Sequence, residues 1–170
     1  DLEFSESDIA TITLGTLYSG ALGSLAALGT SEKDGALAGG FLLGQGLGYL
    51  ATLTATQYMD LSPGELTWIS LGTTLGSTLG AGIAYTATGQ DDDPKPFALG
   101  AFIGGVSLTA ATSLTVDYFD LTWADADLSI YSGLVGAVLG GSISLISDTD
   151  FSGQALIGTS TGLMAGLIYD

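Results

Sequence analysis

Long uncharged stretches alternate with short acidic connectors along the whole chain. All 18 acidic residues lie in the connectors or at the chain ends. Each stretch has about 20 residues, which at about 1.5 Å per helical residue matches the roughly 30 Å hydrocarbon thickness of a bilayer. The stretches are residues 9–30, 35–59, 66–90, 96–116, 128–147 and 151–169. The pattern predicts six helices, each long enough to span a membrane.

The connectors carry helix-start signals. Ser62, Pro63 and Glu65 form a capping-box pattern, with serine at the N-cap, proline at the first helical position and glutamate three residues after the cap. Acidic residues in a first turn also complement the positive end of the helix dipole. Related patterns occur in "SESD" from Ser5, "SEKD" from Ser31 and "TWAD" from Thr122. These four connectors are predicted to begin helices.

The chain repeats itself with a period of about 57–60 residues, a length in the range of structural repeats. The first segments of the repeats align through three sets of positions, and the second segments through two. These sets are Gly15, Gly72 and Ser132; Ser19, Gly76 and Gly136; Gly23, Gly80 and Gly140; Gly40, Gly100 and Gly158; and Gly44, Gly104 and Gly162. We predict one domain, residues 1–170, built from three helical hairpins in repeats of approximately 4–60, 61–120 and 121–170.

Glycine recurs at a spacing of four within these segments, as in "LGTTLGSTLG" from Leu71. Each glycine inside a solvated helix costs about 0.8–1.0 kcal/mol relative to alanine. A row of glycines at this spacing forms a groove that lets another helix approach closely, and it resembles glycine-zipper membrane helices, a packing device that implies no activity. The predicted helix-packing positions are Gly15, Gly23, Gly40, Gly44, Gly48, Gly72, Gly76, Gly80, Gly100, Gly104, Gly136, Gly140, Gly158, Gly162 and Gly166.

The fold class predicted is therefore all-α: a six-helix bundle of three glycine-zipper hairpins that spans a membrane. Two alternatives stay open. In a soluble α-hairpin repeat the leucines of residues 66–90 would face inward and its hydroxyls would face water, whereas a membrane bundle would turn the hydroxyls inward. A small β-barrel is the other alternative, because residues 107–123 alternate well enough to form a strand.

Charge and composition narrow the function classes. The net charge is −16, and the only cations are Lys33 and Lys95, so nucleic acid is not an expected partner. Histidine, arginine and cysteine are absent, and no acid lies in the middle of an uncharged segment, so we expect neither an enzyme nor a cofactor. Six spans put both lysine loops on one side of the membrane, and the positive-inside rule then places the termini on the non-cytoplasmic side.

A few polar residues remain as candidate sites. Asp91, Asp92 and Asp93 could supply oxygens to Ca²⁺, but solvated turns and helix caps explain such acidic clusters better, and we predict no metal site. Gln45 is the one amide well inside a segment, and it is expected to form an interhelical hydrogen bond. With Ser70 and Thr74 it could instead line a polar path.

These observations predict a non-enzymatic structural or assembly subunit in the membrane of a cell envelope, packing through glycine-zipper helices within a larger complex. Its expected partners are the lipid bilayer and other membrane subunits or copies of itself. Two alternatives remain: a channel or carrier for a small solute, and a soluble acidic interaction module of a larger protein.

Overall fold

A computed structural model describes residues 4–59, 61–88, 93–118 and 151–168, together with individual positions between 128 and 142. The described chain is all-helical and contains no strand. The strand pattern noted above for residues 107–123 is wrong over its described part, since residues 107–115 continue an α-helix and residues 116–118 form a 3₁₀ turn.

The helices follow the predicted segments closely. They are α1 (Glu6–Thr30), α2 (Ala36–Ala55), α3 (Pro63–Thr88) and α4 (Lys95–Thr115), with the 3₁₀ turn Val116–Tyr118 after α4. The described positions between 128 and 142 are all helical and are named α5, and the last helix is α6 (Phe151–Ile168). The prediction of six helices is therefore confirmed.

Two of the predicted capping boxes are present. At the start of α1 the Ser5 amide donates to Oδ2 of Asp8 at 2.9 Å, and the Asp8 amide donates to Oγ of Ser5 at 3.1 Å. At the start of α3 the Ser62 amide donates to Oε2 of Glu65, and the Glu65 amide donates to Oγ of Ser62 at 3.3 Å. Each box satisfies two amides that the first helical turn leaves unpaired.

The third predicted helix start is wrong in position. Ser31 ends α1, since its amide bonds to the carbonyl of Ala27 and its side chain accepts the amide of Lys33 at 3.2 Å. The N-cap of α2 is instead Gly35, whose φ of 84° lies in the left-handed region that favours glycine. The fourth predicted start, at Thr122, lies outside the described residues.

The helices pack as neighbouring pairs. α1 packs along α2, and α3 packs along α4. Between these pairs, α1 packs mainly against α4 and touches α3, while the other side of α3 packs against α6. Among the helices described by their full bounds, α2 touches only α1. The helices described by their full bounds therefore lie in the order α2, α1, α4, α3 and α6, with α2 at one end of this row and α3 covered on several sides.

Three helices are long and apolar enough to cross a membrane, namely α1, α2 and α4. At about 1.5 Å per residue, the 20 residues of α2 span about 30 Å. α3 is long enough but is not among the three, because serine, threonine and glycine dilute its leucines. It is also the most buried helix, with Leu71 and Leu75 packed against Leu108 of α4, so little of its surface needs to be apolar.

Candidate functional site

The glycines of the first hairpin bring two backbones together. A methyl group added at Gly23 of α1 would collide with the carbonyl oxygen of Gly40 in α2, and one added at Gly40 would collide with the carbonyl oxygen of Gly23. A methyl group at Gly44 would meet the carbonyl oxygen of Ser19. Backbone atoms cannot swing aside as a flexible side chain can. These three positions therefore require glycine at the present helix separation.

The second hairpin has the same arrangement. Methyl groups at Gly76 and Gly104 would each collide with the other residue's carbonyl oxygen, and Gly80 and Gly100 form a second reciprocal pair. Such separations allow weak Cα–H···O contacts between helices.

Glycines also join α5 to α6. A methyl group at Gly136 would meet the carbonyl oxygen of Gly158, and one at Gly162 would meet that of Ser132. Close approach between backbones is therefore present in all three helix pairs.

The remaining predicted packing glycines either face side chains of a neighbouring helix or lie in parts of the chain that the structure does not describe in full. Gly15 faces Thr52, Gly48 faces the side chain of Ser19, and Gly72 faces Thr112. Gly140 lies outside the described residues, and Gly166 is described only as part of α6.

Four glycines that the spacing rule missed also lie at helix contacts. Gly29 of α1 faces Leu99 of α4, Gly105 of α4 faces Leu22 and Ser77, and Gly82 of α3 faces the start of α6. Gly20 faces Phe41 and Gln45 within the first hairpin. Gly29 and Gly82 lie between hairpins, and Gly105 lies both against Ser77 of its own hairpin and against Leu22 of α1. They stand outside the spacing-four rows that guided the prediction, and only a helical-wheel comparison of neighbouring helices could have found them.

Most hydroxyl groups are satisfied within the protein. Fifteen of the described threonines donate to the carbonyl oxygen four residues earlier in their own helix. Among buried side-chain oxygen and nitrogen atoms in the described part, only the Thr16 hydroxyl lacks a partner. Hydroxyls paired in this way do not depend on water.

Hydroxyls also bond between helices. Thr73 of α3 and Thr109 of α4 lie 2.7 Å apart at their Oγ1 atoms. On the other side of α3, Thr78 Oγ1 lies 2.9 Å from Oγ of Ser160, which is buried in α6. A weaker contact of 3.5 Å joins Tyr18 in α1 to Thr74. Polar groups of α3 thus point to neighbouring helices, yet Leu71 and Leu75 are buried too. α3 therefore has neither the inward leucines and outward hydroxyls expected in a soluble bundle nor the reverse arrangement expected in a membrane bundle.

The three predicted lining residues are not gathered around one path. Gln45 is half-buried in α2, with Cγ against Gly20, and its amide makes no hydrogen bond to a described residue. Ser70 and Thr74 belong to α3, which does not contact α2. The interhelical hydrogen bond of Gln45 therefore stays a prediction, and the described helices place no shared polar lining between it and Thr74.

Both lysines line one cleft of about 470 Å³ where the α1–α2 connection meets the start of α4. Lys95 forms an ion pair with Glu32, and its backbone amide donates to Oδ1 of Asp93 at 3.0 Å. At the opposite ends of the helices, Ser7 donates to the carbonyl oxygen of Leu61. The connections after α1 and before α4 therefore lie at the same end of the helix axes. The starts of α1 and α3 lie together at the opposite end of the axes.

The calcium candidates are only partly described. Asp91 and Asp92 lie outside the described residues, and Asp93 is exposed. Within the described part of the chain, no three acidic side chains come together as metal ligands would.

Large apolar side chains cover the outside of α2. Leu42, Leu43 and Leu47 are between 67% and 71% exposed, and Leu37 and Leu50 are also exposed. On α4 the exposed apolar residues include Ile103, Val106 and Leu114. A soluble monomer seldom leaves a contiguous apolar surface of this kind uncovered.

Comparison of the chain with protein-family models, with curated proteins and with solved structures found no match.

Proposed function

We propose that this protein is a non-enzymatic integral membrane subunit that serves a structural role within a larger complex of the cell envelope. Its single domain consists of three glycine-zipper hairpins, α1–α2, α3–α4 and α5–α6, as repeats of one unit. The termini face the non-cytoplasmic side, and the cleft with Lys33 and Lys95 faces the cytoplasm.

The observation that carries the proposal is the distribution of apolar and polar groups. Five leucines of α2 are exposed, whereas the hydroxyls of α3 and α4 bond to each other and to their own backbones. In water the opposite arrangement, with leucines buried and hydroxyls exposed, is more stable, because each buried leucine contributes about 1.5–3 kcal/mol to folding. Hydrocarbon has no such preference for burying leucine, so close packing through glycine holds helices together instead.

A structural role is favoured over a channel because the polar candidates do not share a path. Gln45 belongs to α2, and Ser70 and Thr74 belong to α3, which α2 does not touch. The outward leucine face of α2 is suited to lipid or to a partner helix rather than to a solute.

The test is carbonate extraction of membranes from cells expressing the chain, followed by circular dichroism and a liposome flux assay. We expect helical protein that stays in the pellet and liposomes that leak no more small solute than protein-free ones. Release of helical protein into the supernatant would support the soluble module, and a solute flux above the protein-free level would support the channel.

A further inference from the structure

The contacts between hairpins follow one rule. α1, the first helix of its hairpin, packs against α4, the second helix of the next hairpin. In the same way α3, again a first helix, packs against α6, again a second helix. The same kind of junction therefore occurs twice along the row. Among the described contacts, neither the second helix of the first hairpin, α2, nor the first helix of the last hairpin, α5, has such a junction.

Glycines outside the spacing-four rows mark these junctions. Gly29 receives Leu99 at the α1–α4 junction, and Gly105 receives Leu22 there. Gly82 lies at the α3–α6 junction, where an added methyl group would come within 3.0 Å of Cβ of Leu156. The glycines of the rows join helices within hairpins, and these additional ones let one hairpin sit close to the next.

Two glycines of α2 face open space. Methyl groups added at Gly39 or Gly46 would meet no atom within 4 Å. The two positions are seven residues apart, so they lie on one side of the helix, and Leu42 and Leu43 lie between them on that side. The outer face of α2 thus has open space beside two glycines and no neighbour among the described residues.

Aligned positions show the same contrast for second helices. The alignment of Gly40 with Gly158 places Leu42 at the position of Ser160. Ser160 is 1% exposed and bonds to Thr78 across the α3–α6 junction, whereas Leu42 is 67% exposed. A position buried at one junction is therefore open on α2.

The first helices of the hairpins show the same contrast between covered positions in α3 and exposed positions in α5. The alignment of Gly72 with Ser132 places Val135 of α5 at the position of Leu75 in α3, and Tyr131 at that of Leu71. Leu75 is 5% exposed and Val135 is 57% exposed, and Leu71 is buried while Tyr131 is exposed. Val138 takes the position of Thr78, which bonds to Ser160 across the α3–α6 junction, and it is 63% exposed, so this side of α5 is uncovered and apolar.

We propose that α2 of one copy of this protein docks against α5 of a second copy, repeating the contact that α1 makes with α4 and α3 makes with α6. The two free ends of the row are complementary rather than identical, so the contact is head-to-tail and adds hairpins to the row in the same order. Such a contact closes into a ring or extends as an open filament. The inference rests on the proposed function, because it takes the second copy to lie in the same membrane.

The lack of cysteine in the chain makes the contact directly testable. Leu42→Cys is placed in a copy with one tag and Val135→Cys in a copy with another tag, the two are co-expressed, and membranes are treated with a short bis-maleimide. The mixed pair should form a heterodimeric product several-fold above two controls. The first control is each variant expressed alone, and the second is Leu114→Cys, which is 81% exposed on α4, paired with either variant.

A blocking variant gives a second readout. Gly39→Phe puts a large ring where the single chain has open space, so the fold of one copy should stand while the cross-linked product falls several-fold. Circular dichroism and carbonate resistance of the same variant verify that it folds and inserts.

The outcomes separate the two proposals. Carbonate-resistant protein with no mixed product above the Leu114→Cys level overturns the head-to-tail contact and leaves the proposed function standing. A dominant Leu42–Leu42 product would likewise overturn it in favour of a face-to-face dimer. Extraction of the chain by carbonate overturns the proposed function itself.

Discussion

Gly23 of α1 and Gly40 of α2 touch backbone to backbone, since a methyl group on either would collide with the carbonyl oxygen of the other. Only glycine at both positions permits this separation. The contact joins the C-terminal half of α1 to the first turns of α2, on the side of the connection between them. It is the first of the reciprocal glycine pairs along the row, and it sets how near the two helices of a hairpin lie.

We predict that Gly23→Ala destabilises the protein. The added methyl group meets a carbonyl oxygen that cannot rotate away, and overpacking of this kind costs about 1–3 kcal/mol, more than the gain in helix propensity. The measurement is denaturant unfolding in detergent micelles, followed by circular dichroism.

Gly39→Ala is the matched control, because a methyl group there meets nothing within 4 Å. It should leave stability unchanged or raise it by up to about 1 kcal/mol through helix propensity. Equal destabilisation by both substitutions would show that the close contact of Gly23 with Gly40 is not the cause of the loss in stability.

We predict a modest coupling between Thr73 and Thr109, whose hydroxyl oxygens lie 2.7 Å apart between α3 and α4. The hydroxyl that donates to the other uses its one hydrogen, and when the partner is lost each hydroxyl can donate to a carbonyl of its own helix, so neither is left unpaired. A double-mutant cycle of Thr73→Val and Thr109→Val should give about 0.6 kcal/mol, the average for such bonds in membranes.

Thr54→Val provides the comparison, since the described bond of that exposed hydroxyl goes to the carbonyl of Leu50 in its own helix. It should show no coupling to Thr109→Val. A coupling as large as that of the Thr73 pair would mean that the cycle measures a general response of the bundle and not this bond.

Helix existence and much of the helix-capping chemistry could be read from the sequence, because both depend on neighbours in the chain. The boxes at Ser5 and Ser62 are formed by residues three apart, and both are present. Ser31 shows the limit of that reading. Its hydroxyl serves the end of α1 while Gly35 begins α2, and a serine next to two helix ends carries no signal of which one it serves.

Contacts between hairpins could not be read in the same way. Spacing within one helix identifies a row of glycines but not the helix that fills it. The identification of Gly29, Gly82 and Gly105 as junction residues needs the rotation of each helix against its neighbour. The same limit applies to α3, whose contacts with α1, α4 and α6 cannot be read from its own spacing. Because these helices cover α3, it can be less apolar than the three candidate spans.

We predict that single cysteines placed at opposite ends of the helices react with a maleimide from opposite sides of the membrane. Lys33→Cys should react with an impermeant maleimide from the cytoplasmic side, and Tyr58→Cys and Tyr118→Cys from the other side. Lys33 lines the cleft at the end where α1 meets α2, and both tyrosines are exposed beyond the far ends of α2 and α4.

Labelling of intact cells and of inverted vesicles distinguishes the sides, and the native chain is an unreactive control because it has no cysteine. If all three positions react from one side only, the helices do not cross the bilayer. If the sides are reversed, the hairpins span the membrane but the orientation drawn from the two lysines is wrong.

We predict that Leu43→Lys removes the first hairpin from the membrane. Leu43 lies near the middle of α2 and is 71% exposed, and a lysine at the centre of a span costs about 3 kcal/mol relative to leucine in insertion free energy. In water the same change would be harmless or would improve solubility, because the side chain already projects from the surface. The fraction of protein that resists carbonate should therefore fall for Leu43→Lys and stay unchanged for Tyr58→Lys, which adds the same charge beyond the end of α2. An undiminished membrane fraction with lysine at residue 43 would mean that this face of α2 meets neither lipid nor an apolar partner, and the outward leucines would then need another explanation.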